Sequence, residues 1–183
     1  DYSLAKSWID HYKGWGEFVA AQMLTPDTVT WLSLWHQGEL VVAQTRARQG
    51  WTHGNRSISG VTGVTKVGVT IADEQVTQVA INSVRAVSDK PHGIFGVDMA
   101  YDRKGVPNPT EINISRFFTT VRFFTEAGLN MPEIFKNLAL SEDYEQPKRK
   151  INPLDENLLW VRGMDTQPRL LTDEAIKKEI VFL

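Results

Sequence analysis

Short connections between strand-like runs constrain the fold of this chain more than any other feature of its sequence. The ranges 29–35 and 39–45 are rich in β-branched and aromatic residues, which favour strands. The segment His36-Gln37-Gly38 between them has the length and the glycine of a hairpin loop. Because a loop this short joins antiparallel neighbours, we expect at least part of the sheet to be antiparallel.

The remaining elements are predicted from apolar spacing and from turn residues. A second hairpin is predicted from strands at 94–101 and 110–114, with Lys104-Gly105 at its tip. The other expected elements are helices at 3–13 and 73–88, a helix from Ser115 to Ala127, a helix after Asn130, a short helix opened by Thr172, strands at 18–24 and 157–163, and a long loop or irregular strands at 50–68. Strands and helices do not alternate regularly as βαβ units. We therefore expect an α+β fold with a largely antiparallel sheet packed with helices.

Composition narrows the classes of function. The chain has 183 residues, a formal net charge of −2 and no cysteine. The charge disfavours nucleic acid and anionic membranes as partners. The lack of cysteine excludes disulfides, thiolate metal sites and cysteine nucleophiles. Because no signal peptide or long apolar segment is evident, we expect a cytoplasmic protein with no membrane partner.

The second hairpin carries an unusual set of polar side chains. If Lys104-Gly105 is the tip, Asp98 lies directly opposite Glu111, and Asn113 shares the face of Glu111. Two carboxylates in that relation repel each other. A raised carboxylate pKa, a nearby Arg or Lys, or a bound divalent cation could each compensate. Carboxylate and amide oxygens suit Mg²⁺, although an exposed hairpin with solvated carboxylates is the open alternative.

The hairpin stretch FGVDMAYDRKGVPNPTEINISRFF resembles the metal-binding hairpin of ATP-grasp enzymes, most closely the ATP-binding region of the carbamoyl-phosphate synthase large chain. The stretches FVAAQMLTPDTVTWLSLWHQGELV, TRARQGW and EAGLNMPEIFKNLAL continue the resemblance, which spans roughly residues 15 to 140. It implies ATP and Mg²⁺ as cofactors, with Mn²⁺ as an alternative metal. It also implies metal ligation by Asp98, Glu111 and Asn113, and nucleotide binding by residues at positions that match the family's hinge, namely Gln22, Met23, Leu24 and Thr28.

The chain departs from the family pattern at several positions. Gln22 and Thr28 each stand where the family commonly has a glutamate. The family's arginine two places after the asparagine is replaced by Ser115, and Arg116 follows it. Residues 1–21 contain neither the phosphate-contacting lysine nor the glycine-rich lid. We therefore expect residues 1–140 to be the C-terminal part of an ATP-grasp domain, followed by a connector and a strand-helix extension at 141–183.

Basic side chains are the predicted catalytic residues. Four of them lie in or near the glycine-rich segment at residues 50–68, namely Arg46, Arg48, Arg56 and Lys66. They could steady a transferring phosphate or a carboxylate substrate, and a solvated basic face is the equal alternative. Arg46 and Arg48 are preferred because they alternate on a strand and share a face. Arg116 is expected to reach a phosphate from the start of the following helix.

These expectations combine into one leading hypothesis of function. The resemblance implies an ATP- and Mg²⁺-dependent ligase that activates a small carboxylate through an acyl-phosphate, of the carbamoyl-phosphate synthase-like kind. The alternative is a non-catalytic fragment or binding module that acts with a partner chain. A homo-oligomer is equally compatible with the sequence.

Overall fold

The computed structural model describes residues 1–12, 14, 16, 21–53, 63–163 and 167–175. Within this part of the chain, strands and helices follow in the order α1 (Tyr2–His11), β1 (Thr28–His36), β2 (Glu39–Trp51), β3 (Thr65–Ile71), α2 (Glu74–Val87), β4 (Gly93–Tyr101), β5 (Pro107–Ile114), α3 (Val121–Glu126), α4 (Met131–Leu140), β6 (Leu159–Val161) and β7 (Arg169–Leu171). None of the described helices combines the length and the apolar character needed to cross a membrane.

The seven described strands form one sheet in the order β5-β4-β1-β2-β3-β6-β7. Every ladder between them is antiparallel. This arrangement confirms the predicted α+β class with a largely antiparallel sheet. β1 lies between β4 and β2, so the hairpin at residues 36–38 and the hairpin of β4 and β5 are neighbours in space.

Helices cover both faces of the sheet. On one face, Val29 and Trp31 pack in a buried cluster with Val76 of α2. On the other face, Leu32 and Leu34 pack with aromatic residues of α3 and with α4. Both clusters come from the period-2 alternation of β1, in which successive side chains point to opposite faces. The second face is the one that carries the polar residues described below.

The two predicted hairpins form as expected. Asp98 pairs directly with Glu111, and the register then shifts by one residue, so that Met99 pairs with Pro109. Thr110 is the extra residue at this bulge. The strand begins at Pro107 and not at Thr110. Proline is tolerated in an edge strand, because its nitrogen has no N–H to donate and can face away from the neighbouring strand.

The glycine-rich segment was predicted less well. β2 continues beyond residue 45 to Trp51, and β3 occupies 65–71, where a loop or irregular strands were expected. The pairing of β3 with β2 supplies hydrogen bonds that no local pattern reveals. β7 was not predicted for the same reason. Residues 54–62 lie outside the described part of the chain, and so does Arg56.

Two other expectations are wrong. The helix expected from Ser115 begins only at Val121, because Ser115 adopts a left-handed backbone (φ 62°) that ends β5. Residues 21–24 are not a strand, and residues 18–20 of that prediction lie outside the described residues. Thr172 does open a helical turn, since its hydroxyl accepts a hydrogen bond from the N–H of Ala175 at 3.2 Å.

Candidate functional site

A cavity of about 520 Å³ opens on the sheet face that carries Leu32. Six of the side chains predicted from the sequence to act at a site line it, namely Arg46, Arg48, Asp98, Glu111, Asn113 and Arg116. Its other described lining residues are Thr30, Leu32, Trp51, Gly63, Thr65, Gly96, Phe117, Phe118 and Thr119. The structure therefore brings the predicted metal ligands and the predicted catalytic arginines into one cavity.

Strand register places the polar side chains in one row across the sheet. Thr30 of β1 pairs with Arg46 of β2 on one side and with Asp98 of β4 on the other. Asp98 in turn pairs with Glu111 of β5. Neighbouring strands lie about 4.8 Å apart, so the backbones of Arg46 and Glu111 are separated by roughly 14 Å. The row therefore runs from a basic end at β2 to an acidic end at β5.

The Thr30 hydroxyl joins the two ends of this row. It donates to Asp98 Oδ1 at 2.6 Å. It accepts from Arg48 Nη2 at 2.7 Å and from Arg46 Nη2 at 3.2 Å. A hydroxyl has one proton and two lone pairs, so these three bonds use its full capacity. Thr30 thus fixes the positions of three charged side chains relative to one another.

Arg46 is a buried cation without a carboxylate of its own. Its side chain is 2% exposed, and its guanidinium binds the hydroxyls of Thr30 and Thr120 and lies 4.4 Å from the ring centre of Phe118. Within the described residues, no carboxylate oxygen lies within ion-pair distance, and the buried Nε atom has no partner. Burial, and then the charge of Arg48, lower the pKa of Arg46 to about 9, although the charge of Asp98 opposes this shift. The guanidinium therefore stays charged at pH 7.

Gly68 provides the space for this buried side chain. A Cβ atom at Gly68 would lie 2.9 Å from Arg46 Cδ and 3.4 Å from Arg46 Cγ. Real Cβ atoms are not found that close to another carbon. Glycine at this position of β3 is thus required by the packing of the arginine and not by its backbone angles.

Arg48 neutralises the inner carboxylate. Its Nη2 atom lies 2.5 Å from Asp98 Oδ1, and the two side chains are 16% and 21% exposed. Its guanidinium also lies 5.0 Å from the ring centre of Trp51, a distance compatible with a cation–π contact. The repulsion between Asp98 and Glu111 is therefore offset at Asp98 by a nearby arginine, which was one of the three compensations expected from the sequence.

The outer carboxylate has a different partner. Arg116 Nη2 lies 3.6 Å from Glu111 Oε1, and these side chains are 68% and 59% exposed. Arg116 Nε donates to Asn113 Oδ1 at 2.9 Å, and Nη2 bonds the same oxygen. Asn113 Nδ2 donates to Asp98 Oδ2 at 3.3 Å. A chain of contacts thus links Arg116, Asn113 and Asp98 along the cavity wall.

The oxygen atoms at the acidic end are of the types that bind a hard divalent cation. It offers two carboxylates on directly paired residues and one amide oxygen, which are the oxygen ligands that Mg²⁺ takes alongside water and phosphate. No group of three His, Cys, Asp or Glu side chains placed to hold a metal occurs among the described residues, so the amide of Asn113 is needed to complete the set. Its oxygen now faces Arg116.

The predicted nucleotide-binding residues lie elsewhere. Gln22, Met23, Leu24 and Thr28 are absent from the cavity lining, and Met23 is 85% exposed. The segment that carries them is hydrogen-bonded to the end of β4, where the N–H of Thr25 donates to the carbonyl of Tyr101 at 2.8 Å. Thr28 pairs with Arg48 in the β1–β2 ladder, and its buried hydroxyl has no partner among the described residues. Their role stays a prediction.

Sequence reasoning missed Thr30, Thr120, Trp51, Phe118 and Gly68. Thr30 had a usable signal, because it is a polar residue on the same face of β1 as Leu32 and Leu34. Its partners lie 16 and 68 positions away in the sequence, so their identity was not readable. Phe118 lines the cavity from an irregular segment before α3 and also packs against the buried cluster that contains Phe124.

This chain is similar to known proteins in structure, but no significant similarity in sequence was found. No protein-family model matches the chain, and no curated protein matches it significantly. A carboxyaminoimidazole ribonucleotide synthase from Aspergillus clavatus, solved in complex with ATP, is similar with a TM-score of 0.55 at 13% identity over 76% of this chain. An L-amino acid ligase from Bacillus licheniformis is similar with a TM-score of 0.54 at 16% identity over 87% of this chain.

The matches cover only part of those two proteins. This chain spans 35% of the length of the synthase and 40% of the length of the amino acid ligase. At these identities the likeness concerns the fold alone. The described chain has the fold of part of an ATP-grasp domain.

Proposed function

We propose that this chain is part of an ATP- and Mg²⁺-dependent ligase that activates a small carboxylate through an acyl-phosphate. One observation carries the proposal, namely that a single cavity joins an acidic end with oxygen ligands to a basic end with a buried arginine that has no carboxylate partner among the described residues. The described lining residues include three guanidinium groups and two carboxylates, which together carry one net positive charge. Such a cavity favours an anionic ligand that arrives with a cation.

The acidic end would hold the metal. Asp98, Glu111 and the amide oxygen of Asn113 would be its ligands, with Mn²⁺ as an alternative to Mg²⁺. A bound metal supplies neutralisation of phosphate charge and orientation of the γ-phosphate. Arg48 would hold the Asp98 carboxylate in place at the cavity wall through its contact at 2.5 Å.

The basic end would hold the carboxylate substrate. Arg46 is buried, charged and bound only to hydroxyls and an aromatic ring, so an anion beside it would gain a strong charge-assisted contact. Thr30 connects this end to Asp98 at 2.6 Å, so a carboxylate bound beside Arg46 would lie near the proposed phosphate position. Arg116, at the cavity mouth, would contact phosphate oxygens.

The proposed reaction has two steps that balance. A carboxylate oxygen attacks the γ-phosphorus of ATP, the bond to the β–γ bridging oxygen breaks, and ADP leaves with that electron pair. An amine then attacks the acyl carbon, the bond between this carbon and the phosphate oxygen breaks, and inorganic phosphate leaves with the proton that the amine loses. The arginines steady the negative charge on the transferring group in both steps. The carbamoyl-phosphate synthase-like subgroup remains our preferred assignment on the motif of residues 95–118.

The nucleotide base would bind outside the cavity, against Gln22, Met23, Leu24 and Thr28. Because the chain spans 35% and 40% of its two structural neighbours, a complete nucleotide site would need further protein. That protein could be a longer form of this chain, a partner chain or a second copy. The same coverage favours the second candidate function, a non-catalytic binding module that acts with a partner chain.

Nucleotide titration tests the proposal. ATP would be titrated into the full-length protein as the wild type, as the Asp98→Ala/Glu111→Ala variant and as Arg122→Ala, with and without Mg²⁺. Arg122 is a matched control, because its ion pair with Glu126 at 3.0 Å lies on α3 outside the cavity lining. We expect Mg²⁺-dependent binding in the wild type and the control, and at least tenfold weaker binding in the double variant.

Two results would decide against parts of the proposal. Binding that needs no Mg²⁺ and survives the double substitution would show that Asp98 and Glu111 are not the metal ligands. Mg²⁺-dependent binding without ADP formation, in the presence of any small carboxylate and amine tested, would favour the binding module.

A further inference from the structure

Arg116 covers the outer ligands of the proposed metal site. Its Nε and Nη2 atoms both bond Asn113 Oδ1, and Nη2 also lies 3.6 Å from Glu111 Oε1. The left-handed backbone of Ser115 (φ 62°) turns the chain at the end of β5, and the next side chain points back over the strand. The arginine that is displaced by one position from the family pattern is therefore seated on two of the three proposed ligands.

The third ligand is engaged as well. Asp98 Oδ1 accepts from Thr30 and Arg48, and Asp98 Oδ2 accepts from Asn113 Nδ2. The protein thus satisfies all three proposed metal ligands with its own donors. Two of the donors are guanidinium groups, which carry the positive charge that a metal would otherwise supply.

We propose that Arg116 is an internal counter-cation that competes with the metal for Glu111 and Asn113. This inference rests on the proposed function, since it assumes that these residues are metal ligands. Mg²⁺ contacts its ligand oxygens directly, at about 2.1 Å. A guanidinium bonded to the same amide oxygen repels the metal and fills the space it needs. Arg116 must therefore leave before the metal can bind Asn113.

The two arginines differ in how readily they can leave. Arg48 is 16% exposed and is held by Thr30 and Asp98. Arg116 is 68% exposed, and ion pairs at such exposure are weak because water competes for both partners. The geometry therefore assigns the movement to Arg116, while Arg48 stays on Asp98.

Competition of this kind couples binding of the metal to binding of the nucleotide. A free metal ion must displace Arg116 into water, whereas a metal ion bound to a polyphosphate brings oxygens that can accept the released N–H donors. The metal should thus bind weakly alone and tightly as a metal–nucleotide complex. Removal of Arg116 should have opposite effects on these two binding events.

Titration of the nucleotide-free chain with Mn²⁺ tests the inference without reference to activity. Free Mn²⁺ would be followed by its electron paramagnetic resonance signal in the wild type, Arg116→Gln and Arg122→Gln. We expect Arg116→Gln to bind Mn²⁺ about three- to tenfold more tightly than the wild type, the gain set by loss of one exposed positive charge near the metal. Arg122→Gln should bind like the wild type.

A second pair of variants separates this inference from the proposed function. Glu111→Gln would be made in the wild type and in Arg116→Gln, with circular dichroism melting as a check of folding. If Mn²⁺ binding depends on Glu111 but is equal in wild type and Arg116→Gln, the competition is refuted and the metal site stands. If Mn²⁺ binding is undetectable in Arg116→Gln, or survives Glu111→Gln in both backgrounds, the metal site itself is refuted.

Discussion

The two halves of the cavity are built from the same kinds of side chain but in opposite environments. The inner network, defined as Thr30, Arg46, Arg48 and Asp98, lies on central strands, and its charged groups are at most 21% exposed. The outer edge, defined as Glu111, Asn113 and Arg116, belongs to edge strand β5 and the residues after it, with ion-paired side chains that are 59% and 68% exposed. Burial therefore divides one site into a fixed half and an adjustable half.

The difference follows from what each half loses if a partner is removed. A charged group that is buried without its partner costs several kcal/mol, whereas an exposed group regains water. The inner network can therefore hold one arrangement through every step of ligand binding. The outer edge can exchange an arginine for a ligand at little cost.

Removal of the Thr30 hydroxyl should break the inner network. Thr30→Val keeps the shape of the side chain but leaves Asp98, Arg46 and Arg48, which are largely buried, each short of one hydrogen bond. We expect the free energy of unfolding to fall by about 2–4 kcal/mol, measured by urea denaturation.

Thr110→Val is the matched change at the edge. The Thr110 hydroxyl donates to the carbonyl of Asp98 at 3.0 Å, but it is exposed. We expect the free energy of unfolding to fall by less than about 0.5 kcal/mol. Equal losses in the two variants would mean that burial does not separate the halves as described.

Filling the space at Gly68 should displace Arg46 without removing a charge. Gly68→Val would place a Cβ atom 2.9 Å from Arg46 Cδ, so the arginine side chain must shift and its hydrogen bonds to Thr30 and Thr120 should weaken. We expect a loss of about 1–3 kcal/mol in the free energy of unfolding. Gly63→Val is the control, since a Cβ at Gly63 meets nothing within 4 Å, and a comparable loss there would refute the packing argument.

Tyr101 of β4 lies outside both halves of the cavity, and its side chain should make a smaller contribution to stability that depends on pH. Its hydroxyl donates to Asp73 Oδ2 at 3.3 Å. Burial, and then the charge of Asp73, raise the pKa of Tyr101 to about 12. Because the folded state keeps this proton longer than the unfolded state, stability should fall as the pH rises from about 10 to 12.

The expected loss is about 1 kcal/mol, since the ring is partly exposed and solvent screens the interaction. This loss is measured by urea denaturation of the wild type and of Tyr101→Phe at pH 8 and pH 11.5. The variant should lose less stability than the wild type between these two pH values. Tyr2→Phe, at a tyrosine that is 79% exposed, should behave like the wild type. The same pH dependence in all three proteins would contradict the assignment to Tyr101.

The outer edge was more predictable from the sequence than the inner network. Alternation and a turn at Lys104-Gly105 were enough to pair Asp98 with Glu111, and the structure confirms that register. Both are local properties of one hairpin. The same holds for α2, where the apolar spacing and the Asp73 cap are local, and where the helix runs from Glu74 to Val87 as expected within two residues.

The inner network depends on contacts between distant segments. Arg46 and Arg48 were chosen because they alternate, but nothing in the sequence shows that Thr30 binds both of them or that Gly68 makes room for one. The bounds of β3 were not predicted, and a loop or irregular strands were expected at residues 50–68, because the hydrogen bonds of β3 come from β2 and β6 and not from its own pattern. The left-handed Ser115 was missed because serine has no strong preference for that backbone, and the expected helix then began six residues too early.

The prolines of β5 have a consequence for how this molecule meets other molecules. Among the described strands, β5 lies at the end of the sheet and pairs with β4 alone, so its outer side could accept another strand. Pro107 and Pro109 have no N–H group to offer such a strand, and the bulge at Thr110 interrupts the regular spacing. The strand that carries Glu111 and Asn113 is therefore protected against edge-to-edge aggregation, and its exposed side chains remain accessible to small ligands.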